Sequence, residues 1–125
     1  MHTTAGKVAI VDDDASMRMS IERLLRAKGY ATIAFASAEE FLRGAGVDGA
    51  VGLVLDIHLA GISGIELRRR LAAAGSTTPV VFITAHDDEK TRDEALAAGC
   101  VAYLRKPFDA AQLIAALELG RRSDE

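Results

Sequence analysis

Five times along this chain a short apolar run gives way to a stretch with helical spacing. Residues 7–12, 31–35, 50–56, 79–84 and 101–104 read as strands. Residues 14–29, 37–46, 63–75, 87–99 and 109–120 read as helices. Strands that alternate with helices cannot pair as hairpins. They form a parallel sheet covered on both faces, through right-handed crossovers. The expected fold class is therefore α/β, a five-stranded parallel doubly wound sheet with five helices. The length, 125 residues, suits a single domain, with its core over about residues 6–120 and no output domain in this chain.

Local signals set the helix boundaries. In 14–29, Met17, Ile21, Leu24 and Leu25 share one face, Asp14 is placed as an N-cap and Gly29 as a stop. Ser37 with Glu40, Ser63 with Glu66, and Asp109 with Gln112 have capping-box spacing, and Ile62 and Leu67 are placed as a staple. Pro79 opens a strand, where its missing N–H is tolerated. Residues 87–99 have an acidic first turn. The charged end RRSDE reads as a frayed tail.

Composition excludes several classes. Half of the residues are hydrophobic, 26% are charged and the net charge is −3, which points to neither a nucleic-acid nor a membrane surface. One cysteine, Cys100, permits neither an internal disulfide nor a cysteine metal cluster, and it reads as a small hydrophobe. Neither a signal peptide nor an apolar run of membrane-spanning length is present, so a cytoplasmic location is expected. Gly44, Gly46 and Gly49 spell GxGxxG, but the pattern ends a helix and leads into a strand. A dinucleotide fingerprint has the opposite context, so these glycines read as a cap and loop.

In a doubly wound sheet, ligands bind beyond the carboxyl ends of the strands. The first strand delivers Asp12, Asp13 and Asp14 there; the third delivers Asp56, the fourth Thr84 and the fifth Lys106 before Pro107. Gathered carboxylates repel one another, and a hard divalent cation such as Mg²⁺, which prefers oxygen ligands, relieves that. A carboxylate can also attack phosphorus to give an aspartyl phosphate. An ammonium, a metal ion and a hydroxyl would neutralise the phosphoryl oxygens.

The runs IVDDD (10–14), LVLDI (53–57), FITA (82–85) and YLRKPF (103–108), in this order, resemble the receiver domain of bacterial two-component response regulators. GYATIAFASAEEFL and FITAHDD look closest to the FixJ type of nitrogen-fixation regulator. The resemblance implies the flavodoxin-like strand order 2-1-3-4-5. It makes Asp56 the phosphoacceptor and assigns Mg²⁺ to Asp12, Asp13, Asp56 and the backbone carbonyl of His58. Lys106 would pair with the phosphoryl group. Thr84 and Tyr103 would be the switch residues, and the Lys106–Pro107 bond would be cis. It further implies a signalling protein rather than an enzyme, which takes its phosphoryl group from a sensor histidine kinase. Its helix 4, strand 5 and helix 5 face would then change to control a downstream protein, an output domain or a homodimer. Helix 4 suits such movement because Ala95, Leu96, Ala97 and Ala98 give it a thin apolar face. One departure from the family pattern is Ala60, where proline is usual, which leaves that loop freer. Gly61 and Gly64 let the chain turn closely beside Asp56.

Plainer readings stand beside these. Asp14 is better read as a cap than as a ligand. Tyr103 alone would be core, and Arg68, Arg69 and Arg70 a solvated helix face. His58 and His86 lie two residues after Asp56 and Thr84 and read as the pocket rim, with a transition-metal site as the weaker alternative. His2 belongs to the chain start. Two other functions compete. One is a haloacid-dehalogenase-like phosphatase with Asp12 as nucleophile, which would leave Asp56 idle. The other is an interaction module that works without phosphorylation.

Overall fold

A computed structural model of the chain describes residues 6–44 and 49–123. Five strands, β1 (Gly6–Val11), β2 (Tyr30–Phe35), β3 (Gly52–Asp56), β4 (Val80–Thr84) and β5 (Ala102–Arg105), alternate with five helices. The helices are α1 (Ala15–Ala27), α2 (Ala38–Arg43), α3 (Gly64–Ala73), α4 (Glu89–Ala98) and α5 (Ala110–Ser123). All the strand pairs are parallel, in the order β2-β1-β3-β4-β5. The expected class and strand order both hold.

Alternate side chains of each strand leave on opposite faces of the sheet, and that splits the core in two. Ala9, Val11, Leu53, Leu55, Val80 and Phe82 pack with Phe41, Leu67 and Ala95 on the α2, α3 and α4 side. Val8, Ile10, Val54, Val81 and Ile83 pack with Ile21, Leu25, Leu113 and Leu117 of α1 and α5 on the other. β3 and β4 are buried along their whole lengths, as strands covered on both faces must be. Cys100 is a partly buried neighbour of the first cluster, and burial raises its thiol pKa.

Most of the capping expectations hold. The Asp14 carboxylate accepts from the N–H groups of Ser16 and Met17. Ser37 accepts from Glu40, and the Glu40 carboxylate reaches back to Ala36 N at 3.2 Å. Ser63 accepts from Glu66, but the Glu66 carboxylate turns to Arg69 and Arg70 instead. At α5 the return contact is present, with Asp109 N donating to Gln112 at 2.9 Å. Gly120 does not stop α5, which runs on through Ser123. That glycine serves contact: a Cβ there would lie 2.7 Å from Pro79 Cβ. Gly46, His2 and the last two residues lie outside the described residues. No described helix is long and apolar enough to cross a membrane.

Candidate functional site

The parallel sheet brings four strand ends to one place. β1 ends at Val11, so Asp12 and Asp13 are the first residues beyond it, while Asp56 and Thr84 are the last residues of β3 and β4. Lys106 follows β5 and precedes a cis peptide bond to Pro107. Its ammonium lies 2.9 Å from Asp12 Oδ2 and 3.6 Å from Asp56 Oδ2. Asp12 is fully buried and Asp56 is 4% exposed.

One ammonium therefore serves two buried carboxylates, and the electrostatics follow. Burial raises the Asp56 pKa, and the Asp12 charge raises it further, against the opposing pull of Lys106. Burial pulls the Lys106 pKa down, but its hydrogen bond to Asp12 and the Asp56 charge outweigh that, and the net shift is upward. The second oxygen of each buried acid has a backbone partner: Asp14 N donates to Asp12 Oδ1 at 2.9 Å, and His58 N donates to Asp56 Oδ1 at 3.3 Å. These turns fix both carboxylates before any ligand arrives.

Asp12, Asp13 and Asp56 can each bring a carboxylate oxygen within 4.8 Å of the others. Asp13 is exposed, so the cluster opens to solvent on that side. An all-oxygen donor set with at least one accessible carboxylate fits a hard cation such as Mg²⁺, which keeps several waters. His58 and His86 do not join the cluster. Both are exposed, their rings meet edge to face with centroids 5.9 Å apart, and His58 Nε2 faces the His86 carbonyl at 3.3 Å. Among the described residues, neither imidazole belongs to a group of three or more side chains that could hold a metal ion.

Thr84 is fully buried, and its hydroxyl is engaged within its own loop, accepting from His86 N and donating to His86 O, each at 3.0 Å. Tyr103 on β5 is half-buried and donates its hydroxyl to Asp87 Oδ1 at 2.9 Å. Burial, with that bond, pushes its phenol pKa up to about 12.

Several contributors escaped the sequence reading. Arg18 donates to the Asp12 carbonyl at 2.7 Å and ties α1 to the acidic corner. Glu39 of α2 accepts from Ile62 N at 3.0 Å and its carboxylate lies against Gly61. That bond braces the loop in which Ala60 stands. Gly61 needs its left-handed φ of +75°, whereas Gly64 has no room for a side chain, because a Cβ there would collide with the Asp56 carbonyl. Arg68 corrects the expectation of a solvated arginine face. It is half-buried and donates to the Gly99 carbonyl at 3.0 Å, across to the α4–β5 turn. Leu96 is a second correction: it is 56% exposed, so the buried stripe of α4 narrows to Thr91 and Ala95. The bonds of Glu39 to Ile62 and of Arg68 to Gly99 have no spacing signature, since each joins elements far apart in sequence.

Known proteins share this fold. The profile of the response regulator receiver domain matches residues 8–118. Nodulation protein W of Bradyrhizobium diazoefficiens is 38% identical over 98% of this chain, and the transcriptional regulatory protein FixJ of Azorhizobium caulinodans is 40% identical over 94%. The chain spans 56% and 57% of the lengths of these two relatives. Full-length FixJ from B. japonicum superposes with a TM-score of 0.90 at 36% identity, over 98% of this chain and 61% of that one. The family is one of signalling regulators, not of phosphatases. With its strand order, its acidic corner and its lysine, this chain belongs to the response regulator receiver domains.

Proposed function

We propose that the chain is a phosphorylation-activated switch in which Asp56 accepts a phosphoryl group from a sensor histidine kinase. The observation that carries this reading is the Lys106 ammonium held between two buried carboxylates, 2.9 Å from Asp12 and 3.6 Å from Asp56. Asp56 Oδ would attack phosphorus, an O–P bond would form, and the bond to the donor's nitrogen or oxygen would break with its electron pair leaving on the donor. Asp12, Asp13 and Asp56, with the His58 carbonyl, would hold Mg²⁺, which when bound neutralises phosphoryl oxygens. Lys106 sits where it can pair with the transferred group. It is fixed there beforehand by Asp12, so little reorganisation accompanies the reaction.

The product must then bias a two-state element. Moving a population from 1:99 to 99:1 takes about 5.5 kcal/mol, and charge-assisted hydrogen bonds contribute roughly 1.5–3 kcal/mol each. Contacts from Lys106, the Thr84 hydroxyl and loop amides are enough. The changed face is α4, β5 and α5, and its reader is a downstream protein, an output domain or a second copy. The narrow buried stripe of α4 supports this choice, since little packing opposes its movement.

Intact-mass measurement after incubation with acetyl phosphate and Mg²⁺ tests the acceptor. The expected result is one added phosphoryl group, absent in Asp56→Ala and absent without the metal. A label that survives Asp56→Ala but is lost in Asp12→Ala would overturn the reading in favour of phosphatase-type chemistry.

A further inference from the structure

The loop between β4 and α4 is tied down almost residue by residue. Thr84 holds both backbone polar groups of His86. Asp88 caps α4 by accepting from Thr91 N at 2.7 Å. Between them stands Asp87, whose carboxylate gathers three side chains. The Tyr103 hydroxyl donates to Oδ1 at 2.9 Å, Arg92 Nη2 reaches both oxygens at 3.0 Å, and Arg105 Nη1 lies 3.8 Å from Oδ2. The Asp87 side chain is 13% exposed, far less than either arginine. One carboxylate thus joins the loop, α4 through Arg92, and β5 through Tyr103 and Arg105.

This arrangement conflicts with a phosphorylated Asp56. The Thr84 hydroxyl cannot keep its two His86 contacts and also donate to a phosphoryl oxygen. Drawing it toward Asp56 frees His86, and Asp87 is the next residue in the chain. The acceptor that holds Tyr103 therefore moves with the loop. Neither the Asp–Lys pocket nor the expected switch role of Tyr103 by itself requires a carboxylate at position 87.

We infer that Asp87 is a positioning residue that latches Tyr103 in the unphosphorylated arrangement and thereby sets how readily the pocket takes up a phosphoryl group. This rests on Asp56 being the acceptor. Apparent affinity scales with the fraction of molecules already in the competent state, so removing the latch strengthens binding at a site Asp87 does not touch.

Beryllofluoride with Mg²⁺ serves as the phosphoryl probe. The chain has only two tyrosines, so ring-labelled tyrosine gives two sets of signals, with the buried Tyr30 as internal reference. In ligand-free Asp87→Ala, the Tyr103 signals are expected to move toward their positions in beryllofluoride-saturated wild type, while those of Tyr30 stay. The beryllofluoride concentration at half-saturation is expected to fall about three- to tenfold. Tyr103→Phe, which keeps the ring and loses the donor, should show the same gain, and Asp87→Glu should restore wild-type behaviour. Unmoved Tyr103 signals in Asp87→Ala, or moved signals with unchanged half-saturation in both variants, would overturn the latch alone. A wild-type chain that binds no beryllofluoride would overturn the acceptor reading and the latch with it.

Discussion

At residue scale the pocket is an instance of buried charge with incomplete compensation. Asp56 is buried beside Asp12, and the single ammonium between them lies closer to Asp12. The Asp56 pKa is raised, so the folded chain holds a proton where the unfolded chain has lost it. Without metal, stability should therefore fall as pH rises from the ordinary carboxylate range through the raised Asp56 value. Asp56→Asn removes that charge and leaves Lys106 with Asp12. It should stabilise the metal-free domain at neutral pH, because the raised Asp56 pKa marks a charge that costs more in the folded chain than in the unfolded one. Urea unfolding of both proteins across pH 4–8 checks this, and parallel pH profiles would contradict it. The identities of Asp12, Asp13, Asp56, Thr84 and Lys106 as residues that meet were legible in the sequence, because each stands at the end of an apolar run. The direction of each side chain was not. Thr84 reads as a hydroxyl free to act, yet it is spent on His86, and Asp87 reads as one more acid at a helix start, yet it gathers Tyr103, Arg92 and Arg105.

At element scale, crossover loops decide how well the strand ends are held. The β3–α3 loop carries Ala60 in place of the proline usual in the pattern this sequence resembles, and the expectation was a freer backbone. The structure supplies a substitute from another element: Glu39, in the first turn of α2, accepts from Ile62 N. The same bond holds the Glu39 pKa below its usual value. Glu39→Ala should leave the fold intact but speed hydrogen exchange at the Ile62 amide several-fold, while amides of β3 keep their protection. Equal exchange in the two proteins would show that the brace carries nothing. The elements themselves were almost fully legible, because short continuous apolar runs alternate with stretches of 3.6-residue spacing in a chain this regular. Boundaries slipped by one to three residues, as at β5, which begins at Ala102 and runs through Arg105, and at α2, which ends at Arg43. α5 runs past its expected end at 120 through Ser123, and Gly120 within it allows close contact with Pro79. Bonds such as Glu39 to Ile62 or Arg68 to Gly99 span distant positions, and no local pattern encodes them.

At the scale of the whole molecule, five parallel strands give the sheet two chemically different ends. The acids, the lysine and the bonded loops sit at the carboxyl end. At the opposite end the chain reverses through Gly29 and Gly75, both exposed, both with left-handed φ, and both with open space where a side chain would stand. Among the described residues, neither of these turns bonds to Asp12, Asp56 or Lys106. The domain is therefore separable for engineering: a short glycine–serine insert between Gly75 and Ser76 should leave acetyl phosphate labelling within about twofold of the parent, because surface turns absorb added length at small entropic cost. The same insert between Ala60 and Gly61 should abolish labelling. A sensor or an affinity handle built into this receiver thus has a natural port, on the far side of the sheet from its chemistry.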